Sequence, residues 1–338
     1  MTGRPVIAVL SKSVDDRPPF LEELQDRAEV RMCDSDGLAS AMTGAQALFL
    51  WDFFSPALRE AWPHCDALEW VHVAAAGVDS LIFPELSDSD VVVTNARGVF
   101  DRPIAEYVLG VVLAHAKQTH ASAELQRKHL WQHRETRPVR GARAVVVGTG
   151  AIGRECARLL QAVGVQVRGV GRTARQDDPD FGVVVASSEL TEHVADADYL
   201  VVIAPLTDQT RGLIDAQVLA ALPSHAHLIN VGRGESVVTA DLIDALSAGQ
   251  LDGASLDVVD PEPLPEDSPL WDLPGVRITP HMSGDARGWL DTLARQFVDN
   301  AGRWLEGEPL SNVVDTRLGY VSGRPERGGD GSGGLSPT

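Results

Sequence analysis

Three glycines in AVVVGTGAIGRECARLLQAVG, Gly148, Gly150 and Gly153, follow a β-branched run and open a helical pattern. GxGxxG in that strand–turn–helix context predicts a dinucleotide site. The first glycine permits the tight turn, the second lets backbone approach a pyrophosphate, and the third lets helix pack close to strand. The helix N-terminus supplies a positive field for the anion. The next strand run, VQVRGVGRTAR, bears on the kind of dinucleotide. An NAD site places an acidic residue roughly 20 positions beyond the glycines, accepting hydrogen bonds from the ribose diol. Eighteen residues past Gly153 stands Gly171 instead, followed by Arg172, Thr173 and Arg175. No carboxylate is there to repel a 2′-phosphate, and two guanidinium groups could pair with one. NADP(H) is therefore the expected cofactor, with NAD(H) second. A solvated loop would explain the arginines but not the missing acid.

Further along, three strand ends carry groups of another kind. INVGRGESV places Arg233 past a buried strand, SLDVVDPEPLP places Asp257 at a strand end with Glu262 in a proline-braced loop, and ITPHMSGD places His281 after another strand. In a doubly wound sheet the carboxyl ends of the strands line one crevice. Arg, Glu and His from neighbouring strand ends could thus meet over a nicotinamide. Each has a plainer reading alone: a His after Pro is often structural, and a Glu between prolines is usually a solvated turn. Asp260 competes with Glu262 as the partner of His281.

These groups need a frame, and the rest of the chain reads as one. β-Branched runs alternate with helical patterns, from Val6–Leu10 through Ala47–Trp51, Trp70–Ala74 and Val91–Asn95, then from Ala144–Gly148 to Val276–Pro280. Helical patterns include Glu22–Ala28, Pro103–Lys117, Ile152–Val163, Ala240–Ala248 and Gly288–Leu305, with a long stretch over Asp101–Trp131 between the two series. Near-continuous apolar strands separated by helices read as parallel sheets covered on both faces. The fold class is α/β: two doubly wound, Rossmann-like parallel-sheet domains with a cleft between them.

The chain has 338 residues, 29 Lys plus Arg against 48 Asp plus Glu, and a formal net charge of −19. That length suggests two domains. The acidic balance argues against nucleic acid and against an anionic membrane surface as partners. It does not exclude a small anionic substrate in a locally basic cleft. Cys33, Cys65 and Cys156 are widely spaced, which excludes a disulfide framework or thiolate zinc site and fits a reducing compartment. No metal is expected. The opening MTGRPVIAVLSKS is too short in apolar residues for a signal-peptide core, and no run reaches the ~18 of a membrane span. A soluble, cytoplasmic protein is expected.

The set GTGAIG, NVGRGE, LDVVDPEPL and TPHMSG, with VHVAAAGVDS, VTNARGVFDRPIAEYVLG, APLTDQTRGLI and NAGRWLEGEPLSNVVD, resembles the D-isomer-specific 2-hydroxyacid dehydrogenase family in order and spacing. The resemblance covers roughly residues 45–315. GRTAR after the second nucleotide-domain strand looks like the NADPH-preferring glyoxylate/hydroxypyruvate reductase branch. The resemblance implies a catalytic trio of Arg233, Glu262 and His281. It implies that backbone N–H groups around Ala76 and Gly77 hold the substrate carboxylate. Asp257 would contact the nicotinamide carboxamide or cap a turn, and Ala151, Ile152, Pro205, Val231 and Gly284 join the cofactor-binding set. It also implies that residues 100–285 form a dinucleotide-binding domain inserted into a substrate domain of 1–99 plus 286–317.

The implied reaction reduces a small 2-keto acid to the D-2-hydroxy acid. Arg233 would grip the carboxylate, while His281, oriented by Glu262, would donate the proton. Trp51 or Phe53 in WDFFS, and Trp289, are candidate substrate walls. Glu262 disfavours a formate dehydrogenase, which would carry Gln, and the short tail disfavours a 3-phosphoglycerate type. A dinucleotide-sensing corepressor-like protein keeps the same fold and trio. The apolar face Ile104, Val108, Val111 and Val112 suggests a homodimer. Residues 318–338 read as a disordered tail.

Overall fold

The β-branched runs pair into two sheets in the computed structural model, which describes residues 3–321. The first sheet has five parallel strands, β1 (Val6–Leu10), β2 (Glu29–Cys33), β3 (Ala47–Leu50), β4 (Trp70–Val73) and β5 (Val92–Asn95), in the order β2-β1-β3-β4-β5. The second comprises β6 (Arg143–Val147), β7 (Gln166–Gly171), β8 (Arg175–Asp178), β9 (Gly182–Ala186), β10 (Tyr199–Val202), β11 (His227–Asn230), β12 (Gly253–Leu256) and β13 (Val276–Ile278). Its order is β13-β12-β11-β10-β6-β7-β9-β8, parallel except for the β8/β9 hairpin. The expected α/β class with two doubly wound sheets is what the chain adopts. In the second sheet the strand order reverses between β6 and β10, and such a switch point opens a crevice at the strand ends.

Helices cover the sheets and tie them together. The Asp101–Ala116 helix packs against the Ala151–Ala162 helix that follows the glycine motif. The Trp289–Glu306 helix, far downstream, returns to the first sheet, where Phe297 stacks on Phe49 at 3.9 Å and on Trp70 at 5.5 Å. Full burial of a ring of this size contributes roughly 1.5–3 kcal/mol. Trp70 donates its indole N–H to Thr94 at 2.8 Å, and the neighbouring His72 ring, fully buried, is pushed down to about 3 by desolvation and stays neutral.

The structure departs from expectation in several places. Glu22–Ala28 is not an α-helix but a 3-10 turn over Leu21–Leu24, because β2 claims the chain from Glu29 onward. The β2 segment EVRMC is a partly exposed edge strand without a β-branched run, and β8 is the polar RQDD, so neither carried a strand signal. The Asp101–Trp131 stretch is broken at Gln118, which adopts a left-handed φ of 50° before a separate Thr119–Arg127 helix. Ile104, Val108 and Val112 are buried within the chain and Val111 partly so, so most of the face expected to await a partner is already covered. Residues Leu318–Val321 are not an irregular tail; Tyr320 closes a turn by bridging to Asp315. The rest of that expected tail, 322–338, lies outside the described residues. Among the described residues no helix is long and apolar enough to cross a membrane.

Candidate active site

A cleft of ≈1540 Å³ runs between the two sheets, walled on one side by the glycine turn. Gly148 sits at φ 113°, where only glycine is comfortable, and a Cβ there would lie 2.7 Å from the Ala204 nitrogen. A Cβ on Gly153 would run into the Gly148 carbonyl, which accounts for the close helix–strand approach. Gly150 faces open space, where an added Cβ would meet nothing within 4 Å. Together with the N-terminal amides of the Ala151–Ala162 helix, this is a bare-backbone cradle that fits a pyrophosphate. Ala151, Ile152, Pro205, Val231 and Gly284 all lie on the cleft wall.

At the end of β7 the cleft rim turns basic. A Cβ on Gly171 would come within 3.0 Å of Thr149 Oγ1, so the position resists a side chain. Arg172 and Thr173 follow on the exposed rim, and the Arg172 guanidinium lies over the Tyr320 ring at 5.7 Å. Arg175 also lines the cleft, but its Nε donates to Asp178 Oδ2 at 2.7 Å. Asp178 is gripped by Arg154 as well, at 2.8 and 2.9 Å. Burial opposes its ionisation, yet the two arginines hold its carboxyl far below the usual range. Arg175 is thereby tied to the β8 turn through Nε alone, and Arg172 stands beside it on the rim.

Opposite the glycine turn, the trio converges. Asn230, at the end of β11, accepts from the Gly232 amide at 3.1 Å and donates to the Arg233 carbonyl at 2.9 Å, which fixes the turn that launches Arg233. The Arg233 side chain crosses to the first sheet's unit. There Nε donates to both oxygens of Asp79 at 3.1 Å and Nη2 donates to Oδ1 at 2.8 Å. Any Cβ at Gly77 would collide with Arg233 Nη2, so that glycine is where backbone and guanidinium meet. Nη1 donates to the Gly232 carbonyl at 2.9 Å. One N–H on each Nη remains for a ligand, since a guanidinium carries five.

His281 lines the same cleft, and its Nδ1 lies 3.0 Å from Glu262 Oε2. Glu262 Oε1 accepts from the Val259 amide at 3.1 Å. Burial works against the Glu262 charge, but the His281 ring, the Val259 amide and nearby Arg233 outweigh it and hold the carboxyl below its ordinary range. An ionised carboxylate only accepts, so Nδ1 carries the proton and Nε2 is the nitrogen available to a ligand. Asp260, the rival partner, instead receives the Thr239 hydroxyl on its backbone carbonyl.

The backbone at His281 is left-handed, φ 52°, a conformation that persists only when its surroundings impose it. Asp257 imposes it. Its carbonyl accepts the His281 amide at 2.8 Å, and its buried carboxylate accepts the Met282 and Ser283 amides and the Thr279 hydroxyl. Of the two roles open to Asp257, the structure shows the capping one.

On the substrate side Ala76 and Gly77 reach the cleft, with the Ala76 carbonyl held by Asn95 Nδ2 at 2.6 Å. Trp51 is largely core, tilted against Phe49 at 5.6 Å, although it also lines the cleft. The aromatic wall is made instead by Phe53, 6.4 Å from Trp289, and by Phe54, whose ring stands edge-on to His281 at 5.9 Å.

Known proteins resemble this chain in sequence and in fold. The profile of the D-isomer specific 2-hydroxyacid dehydrogenase NAD binding domain matches residues 109–283. The glyoxylate/hydroxypyruvate reductase A of Salmonella choleraesuis is 32% identical over 260 residues, covering 75% of this chain and 82% of that protein. The chain belongs to the D-isomer specific 2-hydroxyacid dehydrogenase family. A family protein of Aeromonas salmonicida superposes with a TM-score of 0.78 at 31% identity, over 93% of this chain and 100% of that one. The NADPH-dependent glyoxylate/hydroxypyruvate reductase of Sinorhizobium meliloti, solved with NADP and sulfate, gives 0.77 at 30% identity over 94% and 100%. The reaction class is therefore that of a 2-hydroxyacid dehydrogenase with a nicotinamide cofactor. Asp79, which holds Arg233, and Phe54, which lines the cleft, are residues that sequence reasoning passed over. Asp79 stands two positions past Gly77 in AAAGVDS, and Phe54 lies inside the WDFFS loop already singled out.

Proposed function

We propose that the protein is an NADPH-preferring reductase of small 2-keto acids, making the D-2-hydroxy acid. The observation that carries this reading is the convergence of Arg233 and the His281–Glu262 pair on a cleft that also holds the glycine cradle. The bound nicotinamide would supply hydride to the keto carbon. This chain's residues do the rest. The free N–H groups of Arg233 and the backbone amides at Ala76 and Gly77 hold the substrate carboxylate and carbonyl. Negative charge develops on the keto oxygen, and His281 Nε2 delivers a proton to it while Glu262 stabilises the imidazolium. Arg172 and Thr173 would meet a 2′-phosphate at the rim, with Gly148, Gly150 and Gly153 around the pyrophosphate. In this reading residues 1–99 with 286–317 bind substrate and 100–285 bind the dinucleotide.

The aromatic wall of Phe53, Phe54 and Trp289 supports a keto acid larger than glyoxylate. Following NADPH and NADH oxidation with a panel from glyoxylate to branched and aromatic 2-keto acids tests the whole reading. Charge-assisted hydrogen bonds are each worth roughly 1.5–3 kcal/mol, so one or two at the phosphate give NADPH about a ten- to thousandfold advantage in kcat/KM. Oxidation of neither cofactor with any acid would favour the corepressor-like alternative. Equal use of NADH would defeat the phosphate argument.

We also propose a homodimer, on a different observation from the helix face that the fold covers internally. Leu130 and Trp131, just beyond the Thr119–Arg127 helix, stand exposed, Trp131 fully so. An aromatic left bare on the surface is the kind of anchor that interfaces bury. Light scattering should give about twice the chain mass of 36.2 kDa. A single-chain particle at micromolar concentration would rule this out, and Trp131→Ala should push the equilibrium toward it.

A further inference from the structure

We infer that Tyr320 is a positioning residue for cofactor choice: its ring holds Arg172 ready for the 2′-phosphate. The inference rests on the NADPH reading above and names a residue that neither the glycine motif nor the catalytic trio includes.

The segment that carries Tyr320 is built, step by step, to reach the rim. Val313 bridges Thr94 and the Val314 amide donates to the Val93 carbonyl at 2.8 Å, anchoring the strap on β5 of the first sheet. Asp315 then turns it. Its carboxylate accepts the Arg317 and Leu318 amides at 3.0 and 3.1 Å, and its carbonyl accepts the Gly319 amide at 2.8 Å. Gly319 supplies a left-handed φ of 75°, and the Asp315 amide closes the turn onto the Tyr320 carbonyl at 3.1 Å. The product of this turn is one contact with the other sheet's unit, the Tyr320 ring beneath the Arg172 guanidinium at 5.7 Å. That distance lies within the ≈6 Å over which a ring attracts a cation. Arg317, Leu318 and Val321 line the cleft beside it.

Arg172 is otherwise an exposed, many-rotamer side chain at the one place where NADPH and NADH differ. A guanidinium held over the Tyr320 ring keeps N–H groups that can meet a phosphate in charge-assisted hydrogen bonds. Ordering such a side chain only on binding carries a cost, and pre-ordering removes it. Tyr320 therefore favours the phosphorylated cofactor by about three- to tenfold and leaves NADH unaffected.

The test is the affinity of the full-length protein for NADPH and for NADH, measured by titration calorimetry, in the wild type, Tyr320→Ala, Tyr320→Phe, Arg172→Ala and the double variant. Tyr320→Ala should weaken NADPH about three- to tenfold with NADH unchanged, and Tyr320→Phe should restore NADPH. In the Arg172→Ala background, Tyr320→Ala should have no further effect. Equal weakening of both cofactors, or a loss that persists without Arg172, overturns the inference. So does a wild-type NADPH preference that survives Tyr320→Ala, although it leaves the cofactor reading intact. A wild type with no NADPH preference overturns that reading itself, and this inference with it.

Discussion

Replacing His281 by Asn lowers kcat by about 10²–10⁴, the usual worth of a positioned proton donor. Asn is the informative substitution because it tolerates the left-handed backbone at this position better than most residues. The loop held by Asp257 should persist, and so should NADPH binding, since the glycine cradle is untouched. What is lost is a group that can carry a proton to the keto oxygen while Glu262 balances its charge. Steady-state turnover at saturating keto acid, with calorimetric cofactor binding as the control, checks this. Near wild-type turnover across the neutral pH range would remove His281 from the chemistry.

Arg233→Lys should lower kcat/KM on the order of 10²–10³-fold, by loss of one or two charge-assisted hydrogen bonds of roughly 1.5–3 kcal/mol each. An ammonium has no planar fork, so it cannot grip both oxygens of Asp79 and still present two N–H groups to a carboxylate. It also sits differently over Gly77, whose missing side chain is the space the guanidinium fills. Asp79→Asn, with Arg233 intact, should give a smaller loss. An unchanged kcat/KM in Arg233→Lys would make the Arg233–Asp79 pair a tie between the two sheets and nothing more.

What could be read from the sequence was whatever is local. Gly148, Gly150 and Gly153 sit in one turn, and their roles follow from one strand meeting one helix. Arg233, Glu262 and His281 were each legible as strand-end residues, and the sheet order brought them together. Asp79 was not legible, because its partner lies 154 positions away and the pairing exists only across the cleft. Tyr320 reads as tail for the same reason: the Gly319 turn that aims it has meaning only once the strap on β5 meets Arg172 at the end of β7. The β8 strand failed differently. RQDD has no apolar alternation, and its pairing is organised by Asp178 with Arg154 and Arg175, an ion network that periodicity does not detect. The covered helix face shows the opposite error, an apolar stripe assigned to a partner when the Ala151–Ala162 helix was already there to bury it.

The return of the Trp289–Glu306 helix to the first sheet has a consequence for synthesis on the ribosome. The β1–β5 stretch leaves the ribosome early, but the Phe49 and Trp70 surfaces receive Phe297 only after the entire second sheet has been translated. At about 5–20 residues per second that interval is roughly 10–40 s. The second sheet, drawn from one uninterrupted stretch, can complete itself in the meantime, whereas the first must wait for its last helix. Nascent chains of this architecture therefore carry an open aromatic face through most of their translation. The inserted unit matures before the one that encloses it in sequence.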